Sequence, residues 1–583
     1  MNQLSPPPPI IGRFGPSKSA FDEDRRGTFR ALTEAFVSLF VAVLLFRTFA
    51  AEGYMISTGS MAPSLLGFHK RVVCPTCGIT FPFGTAYDTD EDPEANVAVA
   101  GRSTAVCPNC GQPGIDVADV PRNHGDQLLV NKQAYTFGTP KRWDIIVFRN
   151  PARATEAYVK RVVGLPGDSL QIVGGDVVVN GQIAQKSYAE QVATRILVHD
   201  HFFRPIKDET VPPHWQIVES DTAGSERSRP LSWIANGPSF RLRGGDVRRP
   251  DKDPWSWVEY HHWARVGGAY TTTVPLLKWP DNLSSESVPA AGLKFDQEKG
   301  EFSVTGALSG DVAKQLLELT DDKSFQNAVR ELYEASHISA IYDDYGYNPS
   351  SEAGTPNAVS DLMVSANITL QGGSGEFVIE ITNGATVFSV VFDIVRREIN
   401  LFAEPLPEGM TLNSQSVVPK SEPVTKPVPW PKSFGNSGGT IDFSIFDQQI
   451  IVAIDGKPVF EPQSFEPPKG VQPPRIPVRF GARGLDIRVN QLKLYRDVYY
   501  TESRSRHAVT RPYELKEDEF FVLGDNSPVS HDSRRWDNPV VNRSHLVGKP
   551  FLVHLPSKPG NLKIGNLEMQ LRLPDWERIR FLR

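Results

Sequence analysis

Apolar residues are laid out along this chain in two different ways. Between Ala31 and Ala51 they run almost unbroken, through Ala35-Phe-Val-Ser-Leu-Phe-Val-Ala-Val-Leu-Leu-Phe46, with Arg47 able to reach an interface by its long stem. Such a run has about the 20 residues that a helix needs to cross a bilayer. Lys18, Arg25, Arg26 and Arg30 precede it, which puts the N-terminal side in the cytoplasm by the positive-inside rule. A cleaved secretory signal and a buried amphipathic helix are the other readings. No small-x-small cleavage site precedes Ser60 with room to spare, and the run is continuous, so an uncleaved anchor over 28–51 is expected, with a flexible tail at 1–27.

Elsewhere apolar positions alternate with polar ones, the pattern of half-buried strands. Gly125–Lys132 reads as a turn and a short alternating strand, Trp143–Arg149 as a largely buried strand and Ala157–Val163 as another, Asp176–Ile183 as a hairpin about Asn180-Gly181, and Val547–Leu555 as a closing strand. Further on, Phe377, Ile379 and Ile381, then Phe388, Val390, Phe392 and Ile394, then Ile441, Phe443 and Ile445, then Leu485, Ile487 and Val489 alternate strictly. Many short strands broken by Gly and Pro make a β-sandwich or jelly roll. Helical spacing returns at Asp311–His337, expected on one flank of that sandwich, and Pro405–Pro431 reads as a loop. The predicted fold class is mainly β.

Composition narrows the picture. At 583 residues, about two to four domains are expected. The formal net charge of -6, with no long basic run, argues against a nucleic-acid binder. All four cysteines fall in Cys74-Pro-Thr-Cys-Gly78 and Cys107-Pro-Asn-Cys-Gly111. Two such knuckles place four sulfurs on one cation, which resembles a zinc ribbon whose Cys74, Cys77, Cys107 and Cys110 hold a structural zinc with no open position. Outside the cytoplasm the same four thiols can pair as disulfides instead. Between the knuckles, Asp88–Glu94 reads as a solvated acidic loop. His199-Asp-His201 and His261-His262 read as exposed loop histidines rather than metal ligands.

Three stretches carry candidate chemistry. Tyr54-Met-Ile-Ser-Thr-Gly-Ser-Met-Ala-Pro-Ser-Leu-Leu66 sets Ser60 between a glycine and a proline-fixed turn, where a hydroxyl can stand clear of regular structure. The second is Tyr158-Val-Lys-Arg-Val-Val-Gly-Leu-Pro-Gly-Asp168, and the third Gly524-Asp-Asn-Ser-Pro-Val-Ser-His-Asp-Ser-Arg534. In this order behind one N-terminal anchor, they resemble the type I signal peptidases. The resemblance covers roughly 28–70, 120–185 and 515–556.

The resemblance implies that Ser60 is a nucleophile and Lys160 its general base. A lysine removes a proton only when neutral, and apolar surroundings such as Tyr158, Val159, Val162 and Val163 disfavour the ammonium form. Arg161 is expected on the opposite face of that strand. The resemblance further implies that the Ser60 N–H and the Thr58 hydroxyl receive the oxyanion, that Ser530 hydrogen-bonds the lysine, and that Asp532 and Arg534 brace the wall of the site. The sequence departs from the family at Ser57 and Thr58, where proline and serine are more usual, and at Ser527, where arginine is common.

The expected organisation is an all-β catalytic core over 52–70, 120–186 and 503–583, interrupted by a zinc-ribbon-like insertion at 71–119 and a β-sandwich insertion at 187–502. The end of that sandwich, Arg479–Asp497, resembles concanavalin- or laminin-G-like domains. The resemblance implies a single-pass membrane serine endopeptidase on the outer side of the cytoplasmic membrane. Its partners would be secretory preproteins, cut after small residues at the first and third positions before the bond, and membrane lipid, and it would need no cofactor for catalysis. Whether the ribbon docks substrate or a translocon is open, as is any ligand of the sandwich. Two rivals are an inert peptidase shell that binds a partner through the sandwich, and a self-cleaving Ser–Lys repressor, which lacks its DNA-binding helices here. The basic, amphipathic tail Leu571–Arg583 can face lipid or pack on the core.

Overall fold

A computed structural model describes residues 20–45, 51–85, 104–151, 153, 155–205, 211–218, 232–244, 254–265, 271–281, 283, 292–348, 356–407, 412, 422–431, 438–466, 470, 473–554, 556–564 and 567–582. Residues 1–19 of the expected tail, the acidic loop Asp88–Glu94 and, within Pro405–Pro431, residues 408–411 and 413–421 lie outside the described residues.

The strands around the three motifs form one eight-stranded sheet. Its order is Ala51–Met55, Gln127–Asn131, Leu546–Val553, Ile145–Arg149, Ala157–Gly164, Glu519–Leu523 and Val541–Asn542, with Arg580–Phe581 added beside Leu546–Val553. The tail of the chain therefore packs on this sheet. A second sheet of four strands runs Gln182–Ile183, Asp176–Val179, Ser169–Val173 and Tyr513–Glu514. Leu170, Ile172 and Val177 of the second sheet share a core with Val163, Phe521 and Leu523 of the first. Burying each such side chain contributes roughly 1.5–3 kcal/mol. The predicted two-residue turn is present, with φ of 52° at Asn180 and 80° at Gly181.

The cysteine-bearing insertion has two small sheets. One runs Thr80–Gly84, His69–Val73 and Arg122–Asn123, and the other pairs Thr104–Ala105 with Ile115–Asp116. Val72, Phe81, Phe83 and Val117 pack around the four sulfurs.

The large insertion leaves and re-enters the core through its own paired ends, Ile196 opposite Arg496. Closing the neck in this way lets a long segment enter a loop without opening the host sheet. Its frame is two strands longer than the alternation suggested, Leu362–Thr382 and Val478–Arg496, antiparallel from Leu362↔Arg496 to Ile381↔Val478. Strands pair along both halves of this ribbon, and Phe377, Ile379, Ile441, Phe443 and Ile487 enclose one core. The stretch at Asp311–His337 is helical, as its spacing indicates, and differs from expectation in where it packs. It is two helices, Gly310–Glu318 and Lys323–His337, because Asp322 caps the second by accepting from the Phe325 N–H at 2.9 Å. They pack on a separate sheet of Thr271–Pro275, Glu301–Thr305 and Leu293–Asp296 with its own core.

The N-terminal helix spans Ala20–Leu45. On it Leu32, Phe36, Val37, Leu39, Phe40, Val41 and Val43 are between 46% and 70% exposed. Among the described residues no helix is long and apolar enough to cross a membrane. Residues 46–50, which continue the apolar run, lie outside them, and Ala51 already belongs to the first core strand.

Candidate active site

The first motif leaves strand Ala51–Met55 and turns back on itself. The Ala62 N–H donates to the Gly59 carbonyl at 3.0 Å and the Leu65 N–H to that of Met61 at 2.8 Å. Asp126 closes the base of the turn. Its carbonyl accepts from Ile56 at 2.9 Å, its N–H donates to Leu66 O at 2.8 Å, and its carboxylate accepts from the Leu66 N–H at 2.9 Å. Arg578 of the tail donates to that carboxylate at 2.6 Å. Ser60 is buried at the head of the turn, and Thr58 is half-buried two residues before it.

Lys160 lies on strand Ala157–Gly164, and only 1% of it is exposed. Its Nζ is 2.6 Å from Ser60 Oγ, across 100 residues of sequence. Arg161 faces the other way, as strand alternation requires. Its Nε and Nη2 donate to both oxygens of Asp525 at 2.7 and 2.6 Å, and its Nη1 to Trp143 O at 2.7 Å.

The third motif wraps the nucleophile turn from behind. The Asn526 N–H donates to Ser60 O and its Nδ2 to Gly59 O, both at 3.0 Å. Position 524 must be glycine, since a Cβ there would run into Ser530 Oγ and the Ser60 carbonyl. Ser530 thus sits against the same turn. Its buried Oγ has no hydrogen-bond partner among the described residues, so the bond to Lys160 implied by the resemblance is not made. Asp532 and Arg534 form a fully buried pair, with Nε and Nη2 donating to the carboxylate at 2.9 and 2.7 Å. Burial pushes the Asp532 carboxyl up, but Arg534 and the Gly524 N–H outweigh it and hold it at about 2. Ser527, the departure from the family pattern, accepts from Arg534 Nη1 at 2.7 Å and from the Thr501 N–H at 2.8 Å.

The cysteines come together as two matching knuckles. Gly78 N donates to Cys74 O and Gly111 N to Cys107 O, each at 3.0 Å, with φ of 79° and 67° at the two glycines. All four Sγ atoms lie within 4.8 Å of one another, and the cysteines are unpaired. The histidines differ from expectation. His199 and His201 are buried, because His199 stacks on His214 at 4.3 Å and His201 on Phe240 at 5.0 Å. Their loop docks on the second knuckle, where Asn109 donates to Phe203 O and accepts from the Asp200 N–H, both at 2.6 Å.

Sequence reading did not find Asp126, the Arg161–Asp525 pair, or Asn348, whose amide pairs with that of Asn526 at 2.7 and 2.8 Å. Asn348 belongs to the large insertion and carries no motif or periodicity that points to it.

Known proteins match parts of this chain. The family described as "Signal peptidase, peptidase S26" matches residues 119–237 and 434–555. A signal peptidase I of Bacillus caldolyticus is 41% identical over 141 residues, which is 23% of this chain and 73% of that protein. A probable signal peptidase I-1 of a Synechocystis strain is 38% identical over 173 residues, covering 28% of this chain and 71% of that protein. A signal peptidase I of Leptolyngbya laminosa is 44% identical over 73 residues, covering 11% of this chain and 36% of that protein. The chain belongs to the signal peptidase I family of serine endopeptidases, peptidase S26.

Proposed function

We propose that this chain is a membrane-anchored endopeptidase that removes signal peptides from secretory preproteins, with Ser60 as nucleophile and Lys160 as general base. The observation that carries the reading is the 2.6 Å contact between Lys160 Nζ and Ser60 Oγ, with both residues buried. In the neutral form Lys160 takes the Ser60 proton as Oγ attacks the carbonyl of the scissile bond. The developing oxyanion is received by the Ser60 N–H and the Thr58 hydroxyl. Collapse expels the amine, which receives its proton from Lys160, and water then releases the acyl group by the reverse use of the same base. Asp532 and Arg534 keep the wall behind Ser60 rigid. Membrane attachment is supported by the exposed apolar side chains of helix Ala20–Leu45, which nothing in the described fold covers. The polarity of the anchor and the preference for small residues before the bond come from the family resemblance.

A structural zinc at Cys74, Cys77, Cys107 and Cys110 is part of the proposal. Zn–S bonds of about 2.3 Å set tetrahedral sulfurs about 3.8 Å apart. Cys74 and Cys110 are 3.6 Å apart and Cys77 and Cys107 3.7 Å, so the donor set fits. Such an ion would tie the two knuckles together and leave no position for substrate. The test of the whole reading is processing of a preprotein by wild type and by Ser60→Ala and Lys160→Ala.

A further inference from the structure

The large insertion does more than hang from the core. One of its loops, Asp343–Asn348, reaches the back of the nucleophile turn, where the side-chain hydrogen bonds of Tyr345, Tyr347 and Asn348 are buried. Tyr345 Oη donates to Asp525 O at 2.8 Å. Tyr347 Oη donates to Phe68 O at 3.2 Å, and Tyr347 O accepts from the Gly84 N–H at 2.8 Å. The ring of Tyr347 lies so close to Gly59 and Gly84 that a Cβ at either position would collide with it. The loop is gripped from its own side too. Asp343 accepts from Asn357 N and Nδ2 at 2.7 and 2.9 Å, and Arg496 lies 4.7 Å over the Tyr345 ring while donating to Asp344 O at 2.7 Å.

Asn348 makes the decisive contact. Its Nδ2 donates to Asn526 Oδ1 at 2.7 Å, and its Oδ1 accepts from Asn526 Nδ2 at 2.8 Å. The paired amides hold the Asn526 side chain in place, with its Nδ2 shared between Asn348 Oδ1 and Gly59 O. That placement matters, because Gly59 is one residue before the nucleophile. A shifted amide would release Gly59 O and let the turn move away from Lys160.

We infer that Asn348 is a positioning residue for Ser60, acting through Asn526, so that the inserted domain is an integral part of the active site. This rests on the reading of Ser60 as the nucleophile. A displacement of about 1 Å at a reacting group can cost a hundredfold in rate, so the loss on Asn348→Ala is expected in kcat rather than KM.

The experiment measures kcat and KM for preprotein cleavage by the full-length protein in detergent, for wild type, Asn348→Ala, Asn526→Ala, the double variant and Ser60→Ala. Asn348→Ala is expected to lower kcat roughly ten- to hundredfold with KM within about twofold. The double variant is expected to be no slower than the slower single one, as for residues acting in series. Unchanged kcat in a folded Asn348→Ala protein overturns the inference, as do losses that simply multiply in the double variant. Should Asn348→Ala not fold, Tyr345→Phe removes only the bond to Asp525 O. It is expected to lower kcat about two- to tenfold, and an unchanged kcat there overturns the inference equally. Ser60→Ala separates the two layers: if it cleaves like wild type, the underlying reading fails and the inference with it. If it is inactive while Asn348→Ala is normal, only the inference fails.

Discussion

Arg161 and Asp525 are 364 residues apart in sequence, yet the guanidinium donates two parallel hydrogen bonds to the carboxylate at 2.7 and 2.6 Å in a fully buried site. The pair joins the residue after Lys160 to the residue before Asn526. It thereby sets the strand that carries the base against the segment that holds the nucleophile turn. Two charges this deep are held only because each is matched to the other.

Removing one partner leaves the other charged and unmatched. Asp525→Ala is expected to destabilise the protein by about 3–5 kcal/mol. Arg161→Met with Asp525→Leu, which removes both charges, is expected to cost less than either single charge deletion. Chemical denaturation of the four proteins checks the order.

The Thr58 hydroxyl is a donor to the oxyanion in this account. Thr58→Val keeps the shape and loses the donor, so kcat is expected to fall about 100- to 1,000-fold with KM little changed. Thr58→Ser is expected to stay within a few-fold of wild type. Steady-state kinetics on a preprotein separates the two.

The four thiolates are expected to carry one zinc per chain as purified, read by elemental analysis. A strong chelator is expected to lower the melting temperature and to loosen the contact of Asn109 with the loop at Asp200–Phe203, since that contact stands on the second knuckle. A protein that contains no zinc and no titratable thiol would instead have paired these cysteines.

Two junctions of the insertion respond to pH with opposite sign. Burial holds His199 well below its ordinary 6.5, His201 and His262 at about 4, and His214 at about 3. The unfolded chain then binds more protons below 6.5, so stability at this junction is full above that pH and is lost as pH falls toward 4. Burial raises Asp176 to about 7 and Asp447 to about 6 where Lys186 meets the sandwich. There the folded state binds more protons, and stability grows as pH falls from about 7 toward 4. Hydrogen exchange, corrected for intrinsic rates, is expected to lose protection at residues 196–203 between those pH values but not at residues 176–179.

What could be read in the sequence was what is local. Ser60, Lys160 and Asp532 each sit in a string whose spacing carries the chemistry; Gln127–Asn131 and Ser169–Val173 alternate because one face of each is buried, while Ile145–Arg149 reads as an apolar run because it is buried on both faces. Strand Leu362–Thr382 was underestimated, since Gly372, Gly373 and Gly375 resemble a turn yet lie where the register shifts within one long strand. His199 and His201 lie between the apolar Ile196-Leu-Val198 and Phe202-Phe203, but the rings that stack on them, His214 and Phe240, are distant in sequence and give no local sign. Asn348 and Tyr347 were invisible. Their role depends on a loop returning across the chain to the nucleophile turn, and no local pattern encodes that return.

The central claim is tested most directly by giving the purified full chain, in detergent, a preprotein with an Ala-x-Ala site and identifying the new N-terminus by mass spectrometry. Wild type is expected to cut after the second alanine. Ser60→Ala and Lys160→Ala, with unchanged circular dichroism, are expected to leave the preprotein intact. Cleavage at that bond by either variant at the wild-type rate would contradict the account.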